Sequence, residues 1–205
     1  QLVFEHRIQH GPLVSGRGPS GDVTMAPAAA LIETRLSEII APDADLAEVF
    51  KQVPELKDAV GLSLVGYDGE TEGLIDVPAF SKQIEEAKLN WGGLKVKSLY
   101  SPSANTVVGS VDMPKVKVTA EEGHITWDGL HAEFDLVEAL PMIFVGSSKI
   151  AYRDLEADFP VKDTPERQTF SMAGIDATSD SRYDGAMLHY DQSITFNGLT
   201  IDDST

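Results

Sequence analysis

The chain has 205 residues, and 42% of them are hydrophobic, which is enough to fill the core of one large domain or two small ones. Sixteen Lys and Arg against 33 Asp and Glu give a net charge of -17, which repels phosphate backbones and anionic headgroups and excludes nucleic acid as a partner. The absence of Cys excludes disulfides, thiolate metal sites and cysteine nucleophiles.

The amino-terminal half contains one ambiguous apolar run and one clear helix signal. The first run, QLVFEHRI, starts at Gln1 and alternates like a strand, so we expect an upstream segment that holds any membrane anchor. In APAAALIETRLSEII the alanines favour helix, but the alternation from Leu31 to Leu36 favours a strand, which we prefer. In DADLAEVFKQV the apolar residues recur at helical spacing behind Asp45, which predicts one short helix near residues 45–53.

Three similar segments recur along the chain. They are LNWGGLKVKSL from residue 89, ITWDGLHAEFDL from residue 125 and ITFNGLTIDDS from residue 194. Each carries an aromatic residue, a glycine-containing pair and a leucine between alternating runs, which is the strongest short-range signal for a β-hairpin. We therefore predict tight turns at Gly92-Gly93, Asp128-Gly129 and Asn197-Gly198.

The hairpin register assigns the side chains of these segments to two faces, because strand residues alternate across a sheet. The residues predicted to be mostly buried are Trp91, Leu94, Val96, Ile125, Trp127, Leu130, Phe134, Ile194, Phe196 and Leu199. The residues predicted to be exposed are Lys95, Lys97, His131 and Glu133.

Further alternating runs fill the intervals between the three segments, giving ten or more strands and little helix. This pattern predicts an all-β protein, mainly an antiparallel meander of hairpins that forms a curved sheet or a sandwich. We expect residues 1–205 to form a single β-rich domain.

Many strands with one apolar face need a covering layer, and one helix cannot provide it. The sheet therefore either closes on itself or leaves an apolar groove, in which Trp91, Trp127 and Phe196 would bind a lipid-like ligand or a partner polypeptide. The common nucleophile, phosphate-binding and zinc-protease motifs are absent from the sequence, and it predicts no cofactor or metal.

One histidine cluster gives an alternative reading as an enzyme. The predicted register places His124 opposite Glu133 and diagonal to His131, a set that could bind zinc or transfer protons. His6 and His10 are four residues apart in a strand, too far apart to share a metal.

The run VFEHRIQHGP, in which His10-Gly11-Pro12 closes a strand, is followed by ALIETRL and later by LNWGGLKV. This order of features resembles the YdgA-like family of bacterial proteins of unknown function. The resemblance implies a longer parent protein with an amino-terminal membrane anchor and an extracytoplasmic, periplasmic body, of which these residues are an early portion. It implies no catalytic residues, and it favours a non-enzymatic binding or structural module of the bacterial envelope.

Overall fold

The computed structural model describes residues 2–39, 52–161 and 167–204. These residues form fifteen strands whose paired neighbours are antiparallel, so the prediction of an all-β, mainly antiparallel protein is confirmed. The strands are β1 Leu2–His10, β2 Val14–Arg17, β3 Val23–Ala26, β4 Ala30–Ile39, β5 Val60–Val65, β6 Thr71–Val77, β7 Phe80–Ile84, β8 Ala87–Trp91, β9 Leu94–Ser101, β10 Thr106–Ala120, β11 Gly123–Leu140, β12 Ile143–Pro160, β13 Arg167–Tyr183, β14 Leu188–Phe196 and β15 Leu199–Ser204.

Thirteen of the strands belong to one sheet, and β2 and β3 form a separate hairpin. The order in the large sheet is β1-β4-β5-β6-β9-β10-β11-β12-β13-β14, with β15 on β13 and with β8 between β7 and β10. The preference for a strand over the ambiguous ALIETRL run is confirmed, because β4 pairs with β1 and β5. The helix predicted near residues 45–53 lies outside the described residues except for its last two positions, and a 3-10 helix follows at Pro54–Asp58.

The chain divides into two compact units, and the first comprises residues 1–78, 94–110 and 135–144. It contains two clusters of buried side chains: Val60, Leu62 and Leu74 on β5 and β6, and a second cluster around Val14, Ala28 and Leu31. Leu62 is only 1% exposed. In β5 and β6 the apolar residues alternate with Gly61, Ser63 and Gly73, and this alternation directs one face of each strand into the core.

The second unit comprises residues 79–93, 111–134 and 145–205. Its described hydrophobic residues that are buried are Met113 and Val145. The prediction that Trp127 and Phe196 would be mostly buried is wrong: Trp127 is 36% exposed and Phe196 is 62% exposed. Of the other residues predicted to be buried, Ile125, Ile194 and Leu199 are exposed, and Trp91, Leu94, Val96, Leu130 and Phe134 are half-buried.

The exposed set of the same prediction is confirmed, since Lys95, Lys97, His131 and Glu133 are all exposed. Alternation therefore identifies the polar face correctly. The residues assigned to the apolar face are half-buried or exposed among the described residues of the second unit.

The three predicted hairpin turns are also wrong. Asp128-Gly129 lies inside the continuous strand β11, and Asn197-Gly198 separates β14 from β15, which both pair with β13. Gly92-Gly93 likewise separates β8 from β9, and both of these pair with β10. A glycine with positive φ serves a strand irregularity as well as a hairpin turn, so the local signal does not distinguish the two.

Candidate functional site

The recurring segments mark a row of irregularities that crosses the sheet of the second unit. In β12 and β13, Tyr152 lies opposite Ile175 and Leu155 lies opposite Met172. On the other side of β13, Ile175 lies opposite Phe196 and Met172 lies opposite Leu199. In each of these strands, two residues lie between the two apolar residues just named. Regular alternation would place only one residue between them.

The same spacing recurs in the neighbouring strands. We call each such pair of intervening residues a two-residue step, and the set of them the step row. The steps are Gly92-Gly93, Pro114-Lys115, Asp128-Gly129, Arg153-Asp154, Ala173-Gly174 and Asn197-Gly198.

Contacts between neighbouring steps show that they lie side by side. The Gly92 amide donates a hydrogen bond to the Lys115 carbonyl at 2.7 Å, and Lys115 Nζ lies 3.4 Å from Asp128 Oδ2. A Cβ atom added to Gly129 would lie 3.1 Å from Arg153 Cβ. The backbone amide of Asn197 donates a hydrogen bond to the Gly174 carbonyl at 2.9 Å.

Glycine is required at several steps for backbone reasons. Gly93, Gly129 and Gly174 have φ angles of 97°, 66° and 62°, which other L-residues adopt only with strain. At Gly92, whose backbone approaches β10 closely, a Cβ atom would lie 2.7 Å from the Lys115 carbonyl oxygen. The recurring glycines thus let the strands pass through the step row without reversing direction.

An apolar groove follows the step row over β11, β12 and β13. A cavity of about 260 Å³ is lined by apolar side chains from both sides of the steps and by three residues of the steps themselves: Trp127, Tyr152, Leu155, Met172 and Ile175, with Arg153, Asp154 and Gly174. The rings of Trp127 and Tyr152 stack with their centroids 5.5 Å apart. The two residues of each step keep Tyr152 and Leu155, and likewise Met172 and Ile175, on the face that lines this groove.

The structure places one of the three predicted ligand-binding residues in the lining of this groove and a second beside it. Trp127 lines it directly, and Phe196 lies opposite Ile175 at its side. Trp91 precedes the first step of the row, but its ring stacks against Phe80, with ring centroids 6.2 Å apart, and it pairs with Val116. Its indole nitrogen is buried without a hydrogen-bond partner among the described residues.

Four residues of the groove are missing from the sequence-based set: Tyr152, Leu155, Met172 and Ile175. Their steps, Arg153-Asp154 and Ala173-Gly174, lack the aromatic-x-Gly-Leu signature. The signal that identifies them is the apolar spacing itself, since KIAYRDLEA and FSMAGIDA repeat the spacing of ITWDGLHA.

The proposed histidine cluster forms only in part. His131 Nδ1 lies 2.6 Å from Asp112 Oδ1, and His131 Nε2 lies 3.3 Å from Glu133 Oε1. Hydrogen bonds first to Asp112 and then to Glu133 raise the pKa of His131. The pairing of His124 with Glu133 is wrong, because it depended on a turn at Asp128-Gly129 and the two residues lie nine positions apart along one strand.

This arrangement limits the chemistry of His131. A general base needs an unprotonated ring nitrogen that is accessible to the substrate, whereas here each nitrogen faces a carboxylate. The described residues contain no group of three or more His, Asp or Glu side chains arranged to hold a metal ion. They also include no helix that is both long and apolar enough to cross a membrane.

Comparison with known proteins gives one match. No curated protein and no solved structure is similar to the chain at a significant level. The model of the family described as bacterial protein of unknown function, DUF945, matches residues 1–205. The chain therefore belongs to this bacterial family of unknown function.

Proposed function

We propose that the protein is a non-enzymatic binding module of the bacterial envelope, and that its apolar groove takes the acyl chain of a lipid-like ligand. The observation that supports this function best is the groove along the step row, whose apolar side chains remain accessible. Burying apolar surface is the dominant favourable term in association, at about 25 cal/mol per Å². An accessible apolar patch on a folded protein is accordingly a typical binding surface.

The size of the groove favours a chain over a compact molecule. Its cavity of about 260 Å³ is below the range of roughly 300–1,000 Å³ that is typical of small-molecule pockets. The apolar surface continues beyond this cavity to Phe196 and Leu199, which are 62% and 60% exposed. An extended hydrocarbon chain can follow such a surface from strand to strand, with Trp127 and Tyr152 at one side and Phe196 at the other.

The alternative function, catalysis by His124, His131 and Glu133, has less support. His131 contacts Glu133, but its second carboxylate neighbour is Asp112, and both ring nitrogens face acidic groups. Such a site favours the protonated imidazolium, which can neither accept a proton nor ligate zinc.

The envelope setting is part of the proposal and comes from the YdgA-like resemblance, with which the DUF945 match is compatible. In that setting the protein is extracytoplasmic and is anchored in the membrane by a segment outside this sequence. The location is tested by fusing the full-length protein to a reporter enzyme that is active only outside the cytoplasm. Activity confined to a cytoplasmic reporter would contradict the extracytoplasmic location.

The binding proposal is tested with protein purified from bacteria by native mass spectrometry before and after organic extraction. We expect a co-purifying acyl species that extraction removes. Bound zinc in place of an acyl species would favour the enzyme, and a bound polypeptide would favour a protein partner; either result alone would contradict acyl binding.

Substitution of Trp127 supplies the site-specific test. Trp127→Glu places a charge in the groove, where desolvation by an acyl chain is unfavourable, so we expect an approximately tenfold or greater loss of binding of a fluorescent fatty acid. Met142→Glu is the matched control, because Met142 is an apolar residue of the β11–β12 turn that is 90% exposed. Far-UV circular dichroism checks that both variants fold, and unchanged binding in folded Trp127→Glu protein would contradict the groove as the site.

A further inference from the structure

The hairpin formed by β2 and β3 packs on one face of strands β1 and β4. Val14 of the hairpin and Leu31 of β4 belong to one buried cluster. The backbone amide of Ser15 donates a hydrogen bond to Gln9 Oε1 on β1 at 3.2 Å. A Cβ atom added to Gly16 would lie 3.1 Å from Leu31 Cδ2, so this glycine lets the hairpin approach β4 closely. These contacts hold the hairpin on the sheet.

A polar cavity of about 270 Å³ is lined by residues of both the hairpin and the sheet. Its charged residues are Arg7 of β1, Arg17 of β2 and Glu33 of β4. Arg7 lies opposite Glu33, and Gln9 lies opposite Leu31, so these four residues share the sheet face that the hairpin contacts. The cavity therefore belongs to a sheet face that this chain itself covers, and it does not depend on an unpaired strand edge.

The two arginines of the cavity are held differently. Arg17 Nη2 lies 3.0 Å from Asp76 Oδ2, and the Asp76 side chain is only 15% exposed, so this ion pair ties the Arg17 guanidinium to β6. Within the part of the chain that the structure describes, Arg7 has no ion-pair partner. A guanidinium carries five N–H donors. Both arginines therefore retain donors for a ligand in the cavity.

The other polar groups of the lining also favour an anion. Gln9 Oε1 accepts the hydrogen bond from Ser15, so the amide nitrogen of Gln9 is left as a donor. Glu33 supplies a carboxylate, but its Oε1 lies 2.6 Å from Arg35 Nε, which offsets its negative charge. The described lining thus carries two guanidinium groups and one carboxylate that is already paired, in a chain whose 33 acidic residues outnumber its 16 basic ones.

We propose that this cavity binds the phosphate group of a small molecule. Guanidinium forks bind phosphate through paired, charge-assisted hydrogen bonds. A phosphate group has three acceptor oxygens in a tetrahedral arrangement, so it accepts donors from β1 and from the hairpin at once, whereas a single fork satisfies a planar carboxylate. The cavity is somewhat smaller than the roughly 300–1,000 Å³ of typical small-molecule pockets, which suits one ionic group with a small substituent.

The charge of the whole chain restricts the ligand to a small anion. At physiological ionic strength, exposed charges more than about 8 Å apart are largely screened, so the contacts inside the cavity determine the affinity for a small anion. A polyanion would extend over a surface whose net charge is -17 and would be repelled. This site lies in the first unit and the acyl groove in the second, so either proposal can fail without the other.

Inorganic phosphate is the probe, titrated into the isotope-labelled whole protein at an ionic strength of about 0.15 M. NMR shifts of the backbone amides measure and locate binding. We expect saturation with a Kd of about 1 mM or below, with the largest shifts in residues 7–17 and 31–33. Acetate at the same ionic strength should bind about tenfold more weakly or worse.

Two variants that lose the same charge test the role of Arg7. Arg7→Gln should raise the Kd for phosphate about tenfold. Arg182→Gln is the matched control, because Arg182 is an exposed arginine of β13 in the second unit, and it should change the Kd by less than about twofold. Circular dichroism checks that both variants fold.

Saturation only above about 10 mM, acetate binding as tight as that of phosphate, or equal effects of the two variants would each overturn the proposal. Shifts confined to other parts of the chain would also overturn it. If Arg7→Gln does not fold, Arg7→Lys takes its place. Arg7→Lys keeps the charge but not the fork, and an unchanged affinity for phosphate in this variant would contradict binding by the guanidinium.

Discussion

His131 has a carboxylate beside each of its ring nitrogens. Asp112 on β10 and Glu133, two residues further along β11, both favour the charged imidazolium, and their hydrogen bonds raise its pKa. All three side chains are about half exposed or more, so water screens the attraction and the cluster contributes less than about 1 kcal/mol to stability. The cluster is therefore a local electrostatic contact between neighbouring strands.

This contact predicts a pH-dependent contribution to stability. Because the pKa of His131 is higher in the folded protein than the unfolded value of about 6.5, the stabilisation is fully present below pH 6.5 or so and is lost as pH rises through the folded pKa. Asp112→Asn removes the largest cause of the shift. In this variant we expect the NMR titration midpoint of His131 to fall. We expect the urea concentration at the midpoint of unfolding to drop more at pH 5.5 than at pH 9.

Asn197→Gln serves as the control for that measurement, because Asn197 lies between β14 and β15 and its side chain donates a hydrogen bond to Asp176 rather than to the His131 cluster. Its effect on the urea midpoint should be the same at both pH values. An unchanged His131 titration in Asp112→Asn would contradict the assigned cause.

At the scale of the strands, the two-residue step explains why the same short motif recurs. Each step adds one residue to the regular alternation, and the added residue keeps the apolar residues on both sides of it on one face. Gly129 and Gly174 make this possible through their left-handed backbone conformations, with φ near 65°. The motif therefore maintains one continuous apolar face across neighbouring strands.

Gly174 and Gly198, which belong to neighbouring steps, should respond differently to substitution. Gly174 has a φ of 62° and an added Cβ would lie 2.5 Å from Asn197 Nδ2, whereas Gly198 has no such φ and an added Cβ would only touch Ala173 at 3.8 Å. We expect Gly174→Ala to destabilise the protein by about 1–2 kcal/mol or more. Gly198→Ala should change stability by less than about 0.5 kcal/mol.

Urea denaturation of the two variants measures the difference. Equal effects would mean that the conformation of Gly174 is not required for the step. A stabilising effect of Gly174→Ala would contradict the role of this glycine altogether.

The strands themselves could be predicted from the sequence, whereas their connections could not. Alternation correctly identifies β4, and it correctly assigns Lys95, Lys97, His131 and Glu133 to an exposed face. The turns lie elsewhere, for example at Glu121-Glu122, which gives no strong turn signal, and at Pro141-Met142, where only Pro141 gives one. The pairing of distant strands, which no local pattern encodes, decides whether a glycine pair reverses the chain or forms a step.

The residues of the candidate site could likewise be predicted only in part. Trp127 and Phe196 are aromatic residues next to glycine steps, and the sequence indicates them. Tyr152 and Met172 flank steps without that signature. Their apolar spacing is the one sequence signal for them, and the register of β12 against β13 brings them to the groove.

At the scale of the whole molecule, the buried core is unevenly distributed. Among the described residues, both clusters of buried side chains belong to the first unit, and they include Leu62 at 1% exposure. In the second unit Leu199 is 60% exposed. Among the described residues, hydrophobic stabilisation is thus concentrated in the first unit, and more of the apolar surface of the second is exposed.

A matched pair of leucine substitutions tests this distribution. Leu62→Ala removes a fully buried side chain and should cost about 2–5 kcal/mol of unfolding free energy. Leu199→Ala removes an exposed one and should cost less than about 0.5 kcal/mol. Urea denaturation measures the free energy of unfolding of both variants. A larger loss for Leu199→Ala would mean that Leu199 is buried in the protein in solution.

The step row has a further consequence, for the fidelity of folding. A strictly alternating strand that slips by two residues still places every apolar side chain on the correct face, so alternation cannot distinguish such a misfolded pairing from the native one. In strands such as β12 and β13 the step breaks this equivalence, since a two-residue slip would set the Arg153-Asp154 step against regular alternation in its neighbour. The step row therefore favours one register for long strands of similar sequence, which would otherwise have several registers of nearly equal energy.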